Sequence, residues 1–491
     1  MGTPPPRDFD GFRRTRGLKP PRYSRLASLS SLSVLLCTIH LQQAQARLYR
    51  SAMRAWLATA LRRRLSRVGV RLRVASGPSL YDGPEPAVGE LVVNDVRTLV
   101  ALILRPDLYF GEAYMAGRLE VRGNLEEVLE ALGRLSPAPS AVERVADRLS
   151  SANTLTTARR NVQHHYDLGN DFYRAWLDKE MVYTCAYYAE PEMSLDAAQT
   201  AKLDLICRKL RLRAGEKVLE AGCGWGALAL HMARTCGARV KAYNVSREQI
   251  AFARERAARE GLAHQVEFID DDYRNVNGTF DAFVSVGMLE HVGRRDYGTL
   301  GKVIARTVRV GGRGLLHFIG RDAPRPLNAW IRRRIFPGAY TPTLGEVTNQ
   351  VLMPAGMSVL DVENLRLHYA RTLRHWAERF ARIGDQVRER YGEEFCRAWE
   401  LYLAGSEAAF ASGSMQLFQI VFVPSGSEPP YWNRAEIYED SSEAPPQSYE
   451  SDRRIFATKC AAAAAAAPKT APKAKHRRLA SSAMAQALGD V

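Results

Sequence analysis

Cysteine is scarce in this chain, with 7 residues in 491. The cysteines (Cys37, Cys185, Cys207, Cys223, Cys236, Cys396, Cys460) are odd in number, widely spaced and free of any CxxC pair. A disulfide framework and a cysteine-built zinc site are thereby excluded, no metal is expected, and reduced thiols in a cytoplasmic protein are the expectation. Long apolar runs are also missing. Nothing approaches the roughly 18 residues a membrane-crossing helix needs, so any membrane contact has to be peripheral. Acidic residues are in deficit: 53 Asp and Glu against 69 Lys and Arg give a net charge of +16. Such a surplus suits a polyanion, either nucleic acid or the anionic face of a membrane. No RNA-binding aromatic signature or helix-turn-helix pattern accompanies it, and the basic residues lie largely in flanks, which favours the membrane surface over nucleic acid.

What is present describes a globular protein, with 46% hydrophobic and 25% charged residues, long enough for two folded units plus tails. Residues 1–52 hold Arg13, Arg14, Arg16, the run Ser33-Val-Leu-Leu-Cys37 and Ala44-Gln-Ala46, which imitate a secretory signal. Ser30, Ser31, Ser33, Thr38 and His40 break the apolar core of that signal, so a disordered extension ahead of a true start near Met53 is expected. Residues 53–150 read as a smaller α+β domain associated with lipid or membrane. Its opening stretch, 53–74, sets Trp56, Leu57, Leu61 and Leu65 against an Arg-rich face, the pattern of a basic helix that lies on anionic lipid or packs against a domain. Strand-like Glu90-Leu-Val-Val93 follows, and Ser136-Pro-Ala-Pro-Ser140 reads as a hinge. Between 151 and 425, short apolar runs at 217–220, 240–243, 266–269, 280–286, 314–319 and 418–423 alternate with helix-length segments. That alternation argues for βαβ units and a Rossmann-like α/β fold. Residues 426–491, with the Cys460 to Ala467 alanine run, read as a low-complexity tail.

The first strand of that pattern runs into Val218-Leu-Glu-Ala-Gly-Cys-Gly-Trp-Gly226. Glycines there leave room for a ligand to approach backbone. The spacing differs from the dinucleotide GxGxxG, and Glu220 suggests a polar tail such as the amino-acid end of S-adenosylmethionine (SAM); a tight turn in a cofactor-free fold is the alternative. The second strand ends at Asn244, where an acidic residue often binds ribose hydroxyls, with Gln249 on the next helix able to reach the same place. The third ends in Asp270-Asp-Asp-Tyr-Arg274, where Asp272 and Tyr273 suit adenine, and Asp270 and Asp271 suit a helix cap.

Several further runs resemble the cyclopropane-fatty-acyl-phospholipid synthase family, which includes the mycolic acid cyclopropane synthases. They are His165-Tyr-Asp-Leu-Gly-Asn-Asp-Phe-Tyr173, Met181-Val-Tyr-Thr-Cys-Ala-Tyr-Tyr188, Lys202-Leu-Asp-Leu-Ile-Cys-Arg-Lys-Leu210, Val284-Ser-Val-Gly-Met-Leu-Glu-His-Val-Gly293, Leu315-Leu-His-Phe-Ile-Gly320 and Ile335-Phe-Pro-Gly338. The resemblance implies a SAM-dependent methyltransferase in which Tyr166 touches SAM and Gly222, Gly224 and Gly226 hold its amino-acid end. Gln249, Asp272 and Tyr273 would complete that site. It also implies an active-site bicarbonate ion, with Cys185, Glu290, His317, Tyr369 and the backbone of Ile319 at the matching positions. Outside that context Cys185 reads as a small buried hydrophobe, His317 as a core histidine, Glu290 as a helix cap and Tyr369 as packing.

The implied reaction is transfer of a methylene group from SAM to the cis double bond of an unsaturated phospholipid acyl chain. An alkene is a poor nucleophile and the resulting carbocation is trapped by water, so such a site must be dry and must hold a base. Relatives of the family also make methyl- or methylene-branched chains, or methylate small amines, and a catalytically dead lipid-binding protein is the reading from another class. A departure from the family pattern is Leu360 where many relatives are acidic, with Asp361 and Glu363 close by. The apolar residues between 327 and 357, including Trp330, Ile335, Phe336 and Tyr340, suit a cover over an acyl tunnel. The expected partner is a membrane surface carrying unsaturated acyl chains, and self-association as a homodimer stays open.

Overall fold

The computed structural model describes Thr59, Leu65 and residues 68–75, 79–82, 86–134 and 168–438. Nearly all of them lie in the compact unit that begins at Leu65. Tyr166, the 136–157 hinge and most of the 53–74 stretch fall outside the described residues.

The smaller part is built on strands β1 (Val70–Val74), β2 (Ser79–Tyr81) and β3 (Gly89–Val93), then helices α1 (Val96–Leu104) and α2 (Pro106–Met115), strand β4 (Leu119–Gly123) and helix α3 (Leu125–Gly133). Its sheet has the order β2-β1-β3-β4, with only the β1–β3 pair parallel. The end of the anticipated basic helix is thus a strand. Val-Arg-Leu-Arg-Val alternates with period two, and Val70 and Leu72 go into the core while the arginines turn outward. Asp95 starts α1 by accepting from the Thr98 N–H at 2.8 Å, and Asn124 starts α3 by accepting from Glu127.

The larger part contains, in order, α4 (Asn170–Arg174), α5 (Leu195–Lys209), β5 (Lys217–Ala221), α6 (Ala227–Cys236), β6 (Arg239–Asn244), α7 (Arg247–Arg259), β7 (Val266–Asp270), β8 (Phe280–Val286), α8 (Leu289–Val292), α9 (Tyr297–Thr307) and β9 (Val308–Gly320). Then come α10 (Ala329–Arg334), α11 (Leu344–Val347), β10 (Met357–Asn364), α12 (Arg366–Arg382), α13 (Gly384–Tyr391), α14 (Glu393–Ala411), β11 (Gln416–Pro424) and α15 (Ala435–Tyr438). Seven strands form one sheet in the order β10-β11-β9-β8-β5-β6-β7, with β11 antiparallel to both neighbours and the rest parallel. All six anticipated strands are present, and β5, β8 and β11 are buried almost throughout because helices cover both faces. The chain leaves β5 toward β6 and β7, then returns to lay β8 and β9 on the other side. A crevice opens at the carboxyl ends of β5 and β8, where such folds bind ligands.

β10 was not anticipated, because its one-sided alternation is interrupted by a bulge between Val359 and Asp361. Ordered chain also runs past the anticipated boundary at 425. Tyr431 and Ile437 are buried, Arg434 bonds to Asp361 at 2.7 Å, and Glu436 pairs with Arg211. The smaller part is fastened by α14 and α10. Arg397 lies over the Tyr114 ring and donates to the Tyr114 and Leu119 carbonyls, and Arg334 grips Glu112 with two nitrogens. The α2 backbone approaches the Trp330 ring so closely that a Cβ on Gly111 would lie 2.3 Å from it.

Candidate active site

A cleft at the β5–β8 crevice is lined by Glu220, Gly222, Gly224, Asn244, Gln249, Asp272 and Tyr273, all anticipated, together with Tyr183, Thr184, Lys202, Met288 and His291. The three loop glycines have positive φ: Gly222 86°, Gly224 53° and Gly226 85°. Their surroundings differ. A Cβ on Gly224 would meet nothing within 4 Å, whereas one on Gly226 would lie 2.6 Å from the Phe268 ring and 2.9 Å from Ala253. Gly224 therefore faces open space and Gly226 serves the packing of α6 against the sheet, outside the cleft lining. The loop is tied to β6 by the Gly222 and Cys223 N–H groups, which donate to the Tyr243 carbonyl at 2.9 and 3.1 Å.

Asn244 replaces the usual acid and bonds locally: its amide donates to Gln249 Oε1 at 2.8 Å, and its Oδ1 accepts from the Val245 N–H. Asp272 is gripped by Arg274 at 2.7 and 2.9 Å. Glu220 is 2% exposed and its Oε2 has no hydrogen-bond partner. Burial pushes its carboxyl up to about 8, opposed by nearby Lys202. Lys202 is itself 1% exposed and donates to Thr184 Oγ1 at 2.8 Å, with burial pulling its ammonium down to about 8. The sequence reading gave Lys202 no role; its signal was a lysine on an otherwise buried face of α5.

The four residues anticipated as catalytic are not part of the cleft lining and connect to it through neighbours. Cys185 follows Thr184 and is fully buried; its thiol donates to the Ala186 carbonyl at 3.1 Å, and burial raises its pKa. The Leu365 carbonyl, 3.9 Å from its sulfur, also accepts from the Tyr369 N–H, which sets Cys185 against the first turn of α12. Glu290 comes two residues after Met288. Its Oε1 accepts from the Ile319 N–H at 2.6 Å, its Oε2 has no partner, and burial pushes the carboxyl up to about 7. The Ile319 N–H is therefore already committed to Glu290. His317 is joined to the cleft by its carbonyl, which accepts from the Gly287 N–H at 2.9 Å. Its Nδ1 sits 3.0 Å from Gln419 Nε2, its Nε2 has no partner, and burial holds its pKa well below the ordinary value.

Neither carboxylate near Leu360 joins this group. Asp361 pairs with Arg434, and Glu363 pairs with Lys209 and accepts from the Tyr438 hydroxyl. An aromatic wall extends the buried region. The Tyr183 and Tyr402 hydroxyls are 2.7 Å apart, Tyr183 packs on Trp376, Tyr369 on Phe410, and Phe336 contacts both Tyr402 and His291.

A family model described as mycolic acid cyclopropane synthetase matches residues 153–420. The chain belongs to that family. It is accordingly a SAM-dependent methyltransferase. It is 37% identical to a "Probable fatty acid methyltransferase" of Pseudomonas putida over 75% of this chain and 96% of that one. With the cyclopropane-fatty-acyl-phospholipid synthase of Escherichia coli K12 it shares 39% identity over 53% of this chain and 66% of that one. The solved structure of mycolic acid cyclopropane synthase CmaA1, complexed with SAH and CTAB, overlays 54% of this chain and 97% of its own at 29% identity and a TM-score of 0.51. Among the described residues no helix is long and apolar enough to cross a membrane.

Proposed function

We propose that this enzyme adds a methylene group from SAM across the cis double bond of an unsaturated phospholipid acyl chain, closing a cyclopropane ring. The observation that carries the reading is the pair of unpartnered buried atoms, Glu290 Oε2 and His317 Nε2, on residues tied to cleft-lining neighbours: Glu290 two positions after Met288, and His317 through the Gly287 N–H. Leaving buried polar atoms unpaired costs about 1–3 kcal/mol each, so a polar guest between them is favoured.

SAM supplies a methyl group on a sulfonium, an electrophile strong enough for an alkene. Glu220 and the open side of Gly224 fit its charged amino-acid end, while Gln249, Asn244 and the Asp272–Tyr273 corner fit the ribose and adenine; Tyr166 belongs to the same proposal from the sequence alone. Bicarbonate would be held by Glu290, His317, Cys185 and Tyr369, and it would supply a base and a counter-charge. Because burial lifts the Glu290 carboxyl to about 7, it can donate to an anion as well as accept a proton. The aromatic wall excludes water and has the apolar character an acyl chain needs. The chain would act as a peripheral enzyme at an anionic phospholipid surface, a reading supported by the +16 net charge.

A second reading is favoured by the relative named as a fatty acid methyltransferase: a 1,2-hydride shift after methyl transfer moves the positive charge to the methylated carbon, and loss of a proton from the new methyl group then leaves a methylene branch instead of a ring. Lipid analysis of a host without cyclopropane lipids, expressing this chain, separates the two. A gain of one CH₂ with loss of the alkene supports ring closure, a gain with the alkene retained supports the branch, and unchanged lipids despite measurable SAM binding contradict both.

A further inference from the structure

A strand buried on both faces rarely admits a glutamine, yet β11 places Gln419 at 0% exposure opposite His317 on β9. The Gln419 amide bridges two groups. Its Oε1 accepts from Lys209 Nζ at 2.8 Å, and its Nε2 lies 3.0 Å from His317 Nδ1. Lys209 is wholly buried at the end of α5, with Glu363 bonded to it and Asp361 at 3.9 Å. Those carboxylates are held in turn by the Tyr438 hydroxyl and by Arg434.

Donor and acceptor arithmetic decides the orientation of this chain of contacts. An ammonium has donors only, so the atom of Gln419 facing Lys209 must be its oxygen, and its NH₂ must face the imidazole. An NH₂ donates, so His317 Nδ1 must be a bare acceptor. A neutral histidine carries one ring proton, which leaves it on Nε2, the nitrogen without a partner in the protein.

We infer that Lys209 and Gln419 are positioning residues that lock His317 as the Nε2–H tautomer, presenting a hydrogen-bond donor to the anion-holding side of the active site. The catalytic use of that donor rests on the reading proposed above; the tautomer does not. Lys209 acts through Gln419 and Gln419 through His317, and neither touches the reacting atoms. A cation at the far end of the relay is what distinguishes it from an ordinary histidine–amide contact, since it forbids the flipped amide and with it the other tautomer. Gln419→Glu tests the logic with nearly unchanged shape. A carboxylate accepts from both sides, so it keeps the bond to Lys209 but draws the ring proton to Nδ1, leaving Nε2 an acceptor.

The direct experiment is nitrogen NMR of the full-length protein labelled with ¹⁵N-histidine, the His317 signals being assigned by loss in His317→Gln. The expected result is an Nε2–H tautomer in the unmodified protein and an Nδ1–H tautomer in Gln419→Glu, with turnover lowered about a hundredfold and SAM affinity within about twofold. An Nδ1–H tautomer in the unmodified protein overturns the inference without need of any variant, as does an Nε2–H tautomer retained in a folded Gln419→Glu. If the tautomer switches as expected while turnover is unchanged, the relay stands and the catalytic assignment of His317 falls.

Discussion

The cleft at the ends of β5 and β8 and the buried catalytic candidates outside its lining treat polar atoms differently. Around the cleft most polar side chains are matched within the protein: Asn244 with Gln249, Asp272 with Arg274, Lys202 with Thr184. Glu220 and Tyr273 are exceptions, with one carboxylate oxygen and the hydroxyl unpaired. Glu290 and His317 each keep one atom unpaired, and both are held away from their usual protonation behaviour by burial. A matched site is rigid before its ligand arrives and contributes binding. An unmatched buried site is complete only with a polar guest and gives charge and proton handling where water cannot compete. The molecule thereby divides holding the donor from managing the charge.

Substituting Glu290 should give the largest effect. Glu290→Gln is expected to lower single-turnover methyl transfer by roughly 10²–10⁴-fold with SAM affinity changed by no more than about twofold. The same substitution probes stability against pH. Glu290 binds its proton more tightly in the folded state than at its ordinary value of 4.5. Between 4.5 and about 7 the unfolded chain has released the proton that the folded one keeps, so stability falls as pH rises through that window. Glu290→Gln removes this dependence. Its stability relative to the unmodified protein should rise from pH 5 to pH 8, by on the order of 3 kcal/mol at most, as measured by denaturant melts; a flat difference would mean the carboxyl is not buried.

Two glycines sharpen the contrast within the cleft itself. Gly226→Ala should destabilise by roughly 1–3 kcal/mol, seen as a lower Tm, because its Cβ meets Phe268 at a positive φ. Gly224→Ala meets no protein atom, so its larger effect should be on SAM affinity, about tenfold by calorimetry. The smallest change expected is for Arg434→Ala, about 0.5–1.5 kcal/mol of stability from the lost contact with Asp361 beyond the anticipated end of the domain.

How legible each region was follows from how it is assembled. The cleft's glycines, Glu220, Asn244 and the Asp272–Tyr273 pair sit at the ends of consecutive strands, so a pass along the chain meets them in order with the hydrophobic runs that place them. Gly226 stands apart within that run, because only the three-dimensional neighbours Phe268 and Ala253 reveal its tight packing. The catalytic candidates are different. Cys185, Glu290, His317 and Tyr369 come from a loop, a short helix, a strand and a long helix, and were gathered through resemblance alone. Lys209 and Gln419 carried a weaker signal, polar residues inside apolar patterns, and nothing in spacing links two positions 210 residues apart. The acidic run at Asp361 and Glu363 drew attention as a source of catalytic carboxylates; its strand β10 instead holds those groups against Lys209 and α15.

The division of labour is tested most directly by measuring SAM affinity and single-turnover rate at saturating SAM, with unsaturated phospholipid vesicles, in Gly224→Ala and Glu290→Gln side by side. The expected result is a crossed pattern: weaker SAM binding with a nearly normal saturated rate in the first, and normal SAM binding with a collapsed rate in the second. Parallel losses of both quantities in both variants would contradict it, showing that the cleft and the buried catalytic candidates act as one undivided site.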